Sequence, residues 1–275
     1  MNDSKSVKAL KKQMGAAIAM VCVAAVALGS STYAWFVSNN NVTAKTTNIS
    51  AMSNSAYLVI DKVKTTKQSK TEYSYQTDPT TETALYPAQV VAGGAWESAY
   101  AVKPGESTEQ DNTRFQIKSD GRNAGSAEAA VAEKYAITEK FYIGTGEYDG
   151  EFTDLVVSNM TLSAPDKDIA NAMRVLVKCG DNWQVWKYDA NQKKGVQVST
   201  YKTTAAEEVA LNGQATKMKD KVGKTEGDAE VDVYIYYDGA DTNIKSDNLS
   251  NLAGSCGVTL TFSATPSQPG NNTQA

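Results

Sequence analysis

Residues Ala172–Tyr188 read AMRVLVKCGDNWQVWKY. Met173, Val175 and Val177 occupy alternate positions, so an extended backbone puts them on one face. Gly180-Asp181 then breaks the apolar pattern, and a glycine beside a short polar residue is what a tight hairpin turn requires. NWQVWKY resumes the pattern beyond it. The stretch predicts two antiparallel strands joined by two residues. Trp183 and Trp186 lie three apart in the second strand, which predicts opposite faces, one tryptophan in the core and the other partly exposed.

The same period of two recurs along the chain. AYLVI covers Ala56–Ile60. KYAITEKFYIG places Tyr135, Ile137, Phe141 and Ile143 together, with Glu139 as a charged exception on that face. VDVYIYY aligns Val231, Val233, Ile235 and Tyr237, GVTLTF aligns Val258, Leu260 and Phe262, and DLVVSNMTL runs from Asp154 to Leu162. Gly, Asn and Asp clusters separate these runs. Eight or more half-buried strands predict an all-β chain, an antiparallel β-sandwich or jelly roll.

Helical signals are few. Thr204-Ala205-Ala206-Glu207 has the capping-box pattern and predicts a short helix through AAEEVALN. SAEAAVAE, Ser126–Glu133, predicts another turn or two. Both fall in polar insertions, about 103–130 and about 189–228, too poor in apolar residues for cores of their own. They are expected to be surface excursions from one domain spanning 35–264. The Pro/Asn/Gln-rich tail, 265–275, is expected to stay outside the packed fold.

Composition narrows the chemistry. The 275-residue chain contains no histidine, which excludes Ser-His and Cys-His nucleophile pairs and histidine metal ligands. Lys5, Lys8, Lys11 and Lys12 against Asp3 make the first 34 residues net +3, so the rest of a chain of net charge −4 carries −7. A mildly acidic body does not attract nucleic acid. Glu207 with Glu208, or Asp149 with Glu151, pair carboxylates, but nothing in the sequence sets either pair across a cleft at the separation glycoside hydrolysis needs. No catalytic residue is expected.

DGADTNIKSDN, Asp238–Asn248, gathers Asp238, Asp241, Asn243 and Asp247, oxygen donors of the kind calcium takes. The spacing is not that of an EF-hand loop, and an acidic turn that satisfies its own backbone is the alternative. Cys22 lies in the apolar N-terminal run. Cys179 and Cys256 either pair, as an oxidising compartment would permit, or stay free as small apolar side chains.

The N-terminus is lysine-rich and continues into GAAIAMVCVAAVALG, Gly15–Gly29, which carries no charge. Fifteen residues fit the apolar core of an export signal and fall short of the ~20 of a spanning helix. Thr32 and Ala34 are small residues placed for cleavage between Ala34 and Trp35. Residues 1–34 therefore read as a signal peptide that touches the membrane only transiently. A membrane anchor would need the span to continue through Trp35 to Val37, with those aromatics at the interface. A pilin-type leader cut after Gly15 would need a glutamate where Met20 stands.

The lysine-rich start, the compact apolar core and STYAWF, Ser31–Phe36, resemble the leaders of exported Gram-positive proteins released by a dedicated signal peptidase, the family of the biofilm matrix fibre protein TasA and of camelysin. The likeness covers about the first fifty residues. It implies that Trp35 and Phe36 open the mature chain and that NVTAKTTNISA, Asn41–Ala51, follows as a strand. It departs from camelysin's metalloprotease character, because the chain has neither H-E-x-x-H nor any histidine. The resemblance implies a non-enzymatic structural protein that polymerises with itself into extracellular fibres, with Trp35, Phe36, Val37, Val42 and Ala44 in a donor strand. The alternative expectation is a monomeric adhesin or ligand-binding module at the cell surface, and a secreted hydrolase is the third.

Overall fold

The computed structural model describes residues 42–44, 48–53, 58–64, 72–76, 83–98, 125–146, 150–163, 171–203, 207–223, 228–241 and 257–267, together with Met14. The first strands are β1 (Val42–Ala44), β2 (Asn48–Ser53), β3 (Val59–Asp61), β4 (Glu72–Gln76), β5 (Thr83–Leu85), β6 (Ala88–Val90) and β7 (Trp96–Ser98). A short helix, Ala127–Ala132, precedes β8 (Ile137–Gly144), β9 (Glu151–Ser163), β10 (Met173–Cys179), β11 (Asn182–Asp189) and β12 (Lys194–Gln197). The rest are β13 (Thr200–Lys202), β14 (Glu208–Ala210), β15 (Lys219–Val222), β16 (Ala229–Tyr237) and β17 (Gly257–Ser267).

The chain is mostly β, with two principal sheets. A curled six-stranded sheet has the order β12-β11-β10-β16-β8-β3, all neighbours antiparallel. A five-stranded sheet has the order β15-β9-β17-β2-β4. In the latter β2 and β17 run parallel, Ile49 opposite Val258 through Ser53 opposite Phe262, an exception to the expected antiparallel pattern. The hairpin β10–β11 forms as its sequence predicts: Cys179 pairs with Asn182, and Gly180 takes the turn at φ 59°, where a side chain would be strained.

Both sheets contribute to one apolar cluster. Val175, Val177, Val231, Val233, Ile235, Phe141 and Ile143 of the six-stranded sheet join Phe152, Leu155, Met160, Val258, Leu260 and Phe262 of the five-stranded sheet. On β8, β10, β16 and β17 these are the alternating residues of the sequence patterns; on β9, Leu155 and Met160 share the face because the ladder to β17 shifts register between Thr261 and Phe262. Glu139 lies on the strand carrying Ile137 and Phe141, and its charge is met by Lys62 at 2.5 Å. The sheets approach closely at Gly195 of β12, where a Cβ would fall 2.4 Å from the Cβ of Met160. Any larger residue there would force the sheets apart.

The opposite face of the six-stranded sheet is buried as well. Leu176, Trp183, Val185, Tyr234 and Tyr236 pack with Ala88, Val90, Trp96 and the helix residues Ala127, Ala129 and Ala130 in a second cluster. The Trp96 ring meets Tyr236 edge-on, with centroids 4.7 Å apart and planes at 65°, an arrangement that aromatic quadrupoles favour. The helix lies within the stretch predicted for it, and its N-cap is Ser126, whose Oγ accepts from the Ala129 amide at 3.1 Å. Its three buried alanines allow it to lie close to the aromatic layer.

Several expectations change. The second part of the 103–130 insertion is core, since the helix seals the second cluster. The 189–228 insertion supplies sheet edges, with β12 on one sheet and β15 on the other, and buries Leu211, Met218 and Val222. Of the stretch expected to be helical, Thr204, Ala205 and Ala206 lie outside the described residues, and Glu208–Ala210 is a strand: β14 pairs with β13, Val209 opposite Tyr201. A helix this short fixes more backbone than its few hydrogen bonds compensate, whereas a neighbouring strand satisfies the same groups at once. Tyr135 precedes β8 and joins the second cluster, not the face of Phe141. The tail begins later than 265, because Thr265, Pro266 and Ser267 still pair with β9.

Candidate functional site

Of the proposed assembly segment, Trp35, Phe36 and Val37 lie outside the described residues, as does the cleavage site at Ala34. Val42 and Ala44 form the ends of β1, whose backbone pairs antiparallel with β5, Val42 opposite Leu85 and Ala44 opposite Thr83. The segment continues into β2, which lies between β17 and β4. The N-terminal part of the described chain thus pairs with the last described strand through the main chain, inside the sheet.

The acidic stretch after β16 surrounds a cation supplied by the protein itself. Arg174 of β10 is 8 % exposed. Its Nη2 lies 3.1 Å from Asp238 Oδ2 and 3.3 Å from Asp241 Oδ2. Its Nη1 donates to the carbonyl oxygens of Asn171 and Met173. Asp238 Oδ1 accepts from Gln89 Nε2 at 2.7 Å and from the Ala240 amide at 3.0 Å, and the Gly239 amide donates to Ala88 O. A buried charge with this many partners is costly to disturb. Asp238 and Asp241, two of the four calcium candidates, therefore face a guanidinium; Asn243 and Asp247 lie outside the described residues. Among the described residues no group of three or more Cys, Asp or Glu side chains is placed to hold a metal ion.

Two adjoining depressions of about 300 and 400 Å³ open beside this cluster and share Arg174, Lys187 and Asp241. They lie where the second cluster ends. Arg174 is opposite Tyr236 in the β10–β16 register, so it occupies the face that carries Leu176 and the aromatics. Tyr201 of β13, half-buried against the second cluster, lines the smaller depression with Lys202 and Glu208. Glu208 accepts from Thr200 Oγ1 at 3.3 Å. Glu207 is its neighbour in sequence, and Asp149 of the other carboxylate pair lies outside the described residues, while Glu151 meets Lys221 at 3.6 Å.

Sequence reasoning missed Arg174. The available signal was a charged residue inside AMRVLVKC, on the positions alternating with Met173, Val175 and Val177. It became meaningful only once both faces of that strand proved to be buried.

Cys179 is a free, buried thiol at the end of β10, and burial pushes its pKa up to about 11. Its proposed partner Cys256 lies outside the described residues. Trp183 and Trp186 do take opposite faces: Trp183 is buried in the second cluster, while Trp186 is half-buried against the first and donates Nε1–H to Gln184 Oε1 at 3.1 Å. Comparison of the chain with known protein families, with curated proteins and with solved structures gives no match.

Proposed function

We propose that the chain is an exported structural protein, a β-sandwich of jelly-roll type that assembles with copies of itself into extracellular fibres or pilus-like filaments of a biofilm matrix. Assembly proceeds by exchange of the N-terminal strand segment, after a signal peptidase has removed residues 1–34. The protein needs no cofactor for this and performs no catalysis.

The observation that carries the reading is the parallel pairing of β2 with β17. It joins the N-terminal part of the described chain to its last strand, and the contact is a ladder of main-chain hydrogen bonds. β1, Val42–Ala44, leads into this ladder and itself pairs with β5 through the main chain, and an edge that accepts these residues from its own chain also accepts them from another copy. Main-chain pairing then gives affinity, and the alternating side chains set the register. Such exchange is head-to-tail and has no built-in closure, so it propagates as a filament. Trp35 and Phe36, freed by cleavage, are costly to leave in water, at roughly 1.5–3 kcal/mol for a large apolar side chain, and so favour docking of the segment. The lysine-rich leader and STYAWF support export.

Electron microscopy of the chain starting at Trp35, beside a chain lacking Trp35–Ala44, tests this. The first is expected to form filaments with an axial repeat, and the second to stay folded, soluble and monomeric. Filaments of normal length from the truncated chain would overturn strand exchange, and a monomeric longer chain would favour the displayed binding module. Mass spectrometry of exported material is expected to find Trp35 at the N-terminus.

A further inference from the structure

We infer that the paired depressions around Arg174 form a binding site for a neutral, hydroxyl-rich chain, an oligosaccharide long enough to cross both. The argument begins with charge. Arg174, Lys187 and Lys202 line the smaller depression together with Asp238, Asp241 and Glu208. Three cations and three carboxylates leave the smaller depression without net charge, and the larger one adds a single carboxylate, Asp189. An anionic ligand meets the carboxylates and a cationic one meets the lysines, so neither gains by electrostatic attraction. A ligand of hydroxyl groups suits both signs, because each hydroxyl donates to a carboxylate and accepts from an ammonium.

The charges also differ in their availability. Arg174 is held on both sides, by Asp238 and Asp241 and by two carbonyl oxygens, and it forms a fixed floor. Lys187 is exposed and makes no ion pair among the described residues. A floor preset by buried hydrogen bonds beside an exposed lysine at the rim is an arrangement that gives a polar ligand orientation at little reorganisation cost. Tyr201 adds an aromatic surface next to these donors, and amphipathic rings of this kind suit ligands that have both apolar and polar edges.

Shape gives the length. The depressions measure about 300 and 400 Å³, the lower end of the range for small-molecule sites. They share Arg174, Lys187 and Asp241, and the second extends to Tyr188, Asp189 and Asn191. Two adjoining sites bridged by the same residues suit successive units of a linear chain. The site lies at the end of the second cluster and does not include β2 or β17, so it stands whether or not the protein polymerises.

Saturation-transfer NMR and isothermal titration on the chain beginning at Trp35, assembled or monomeric, test the inference. The probes are maltohexaose and hexa-N-acetylchitohexaose as neutral chains and oligogalacturonate as an anionic one. At least one neutral probe is expected to bind, with Lys187→Ala and Tyr201→Ala each weakening it about tenfold, the loss of roughly one charge-assisted or stacking contact. Lys140→Ala, on another part of the sheet, is expected to leave binding unchanged. Thermal melts accompany each variant, and both substituted side chains are only partly buried or exposed. Failure of both neutral probes to bind at millimolar concentration would overturn the inference. So would stronger binding of the anionic probe, or neutral binding that survives both Lys187→Ala and Tyr201→Ala.

Discussion

β16 and β17 look alike in sequence. Each alternates apolar residues over several positions, and each sends that set into the same cluster: Val231, Val233, Ile235 and Tyr237 from one, Val258, Leu260 and Phe262 from the other. They differ in their second faces. On β16 Tyr234 and Tyr236 are buried under Trp96 and the helix Ala127–Ala132. On β17 Thr259, Thr261 and Ser263 are only half-buried. The difference lies in the intervening residues, tyrosine against threonine and serine. Aromatic residues between the apolar ones offer surface that a further layer can cover, whereas hydroxyl residues offer little. Alternation therefore identifies one buried face, and the residues between decide whether a second layer can form.

Removing the ring that seals the second face is the strongest way to break this comparison. Trp96→Ala is expected to destabilise the protein by about 3–5 kcal/mol in urea denaturation, as much as Phe262→Ala in the shared cluster. A loss below about 1 kcal/mol would mean that the layer over β16 is not part of the folded core. Outward residues on the two sheets provide a sharper contrast. Leu176→Ala on β10 is expected to cost about 2–5 kcal/mol, while Thr259→Ala on β17 costs about 0.5 kcal/mol or less. Equal losses would erase the distinction between a sheet buried on both faces and one buried on a single face.

The next effect is one of overpacking. Gly195→Ala puts a methyl group where Met160 already stands, and a loss of about 1–3 kcal/mol is expected because both sheets are pinned at that point. A neutral result would show that β12 moves freely away from β9.

The last effect is absent at neutral pH. Burial raises the Cys179 pKa from 9.0 to about 11. Between those values the unfolded chain has lost its thiol proton while the folded chain keeps it, so stability falls as pH rises through that window. Below pH 9.0 both states are protonated and the contribution is constant. Denaturation midpoints measured from pH 8 to pH 11 are expected to decline more in the wild type than in Cys179→Ala. Parallel curves would show that the thiol does not titrate differently on folding, as a disulfide would also require, and thiol counting under denaturing, non-reducing conditions distinguishes those two cases.

The sequence alone determined the β character, the hairpin at Gly180-Asp181, the inward sets on β10, β16 and β17 and the short helix after Ser126. All of these depend on neighbours in sequence: a period of two, a glycine that tolerates positive φ, a hydroxyl three residues before an amide. The oxygen-rich stretch after Tyr237 was also legible, but not its partner. Only the tertiary structure decided that Arg174 faces Asp238 and Asp241, because that cluster joins residues far apart in sequence and exists only when β10 and β16 pair in register. The same holds for the second core, which needs Ala88, Trp96 and the helix to arrive over a face that the strand pattern left open. It holds as well for Glu208–Ala210, where local propensity favoured a helix and the nearby β13 offered a better partner. Local signals report what a backbone prefers by itself; burial and charge pairing are decided by what else the chain brings to the same place.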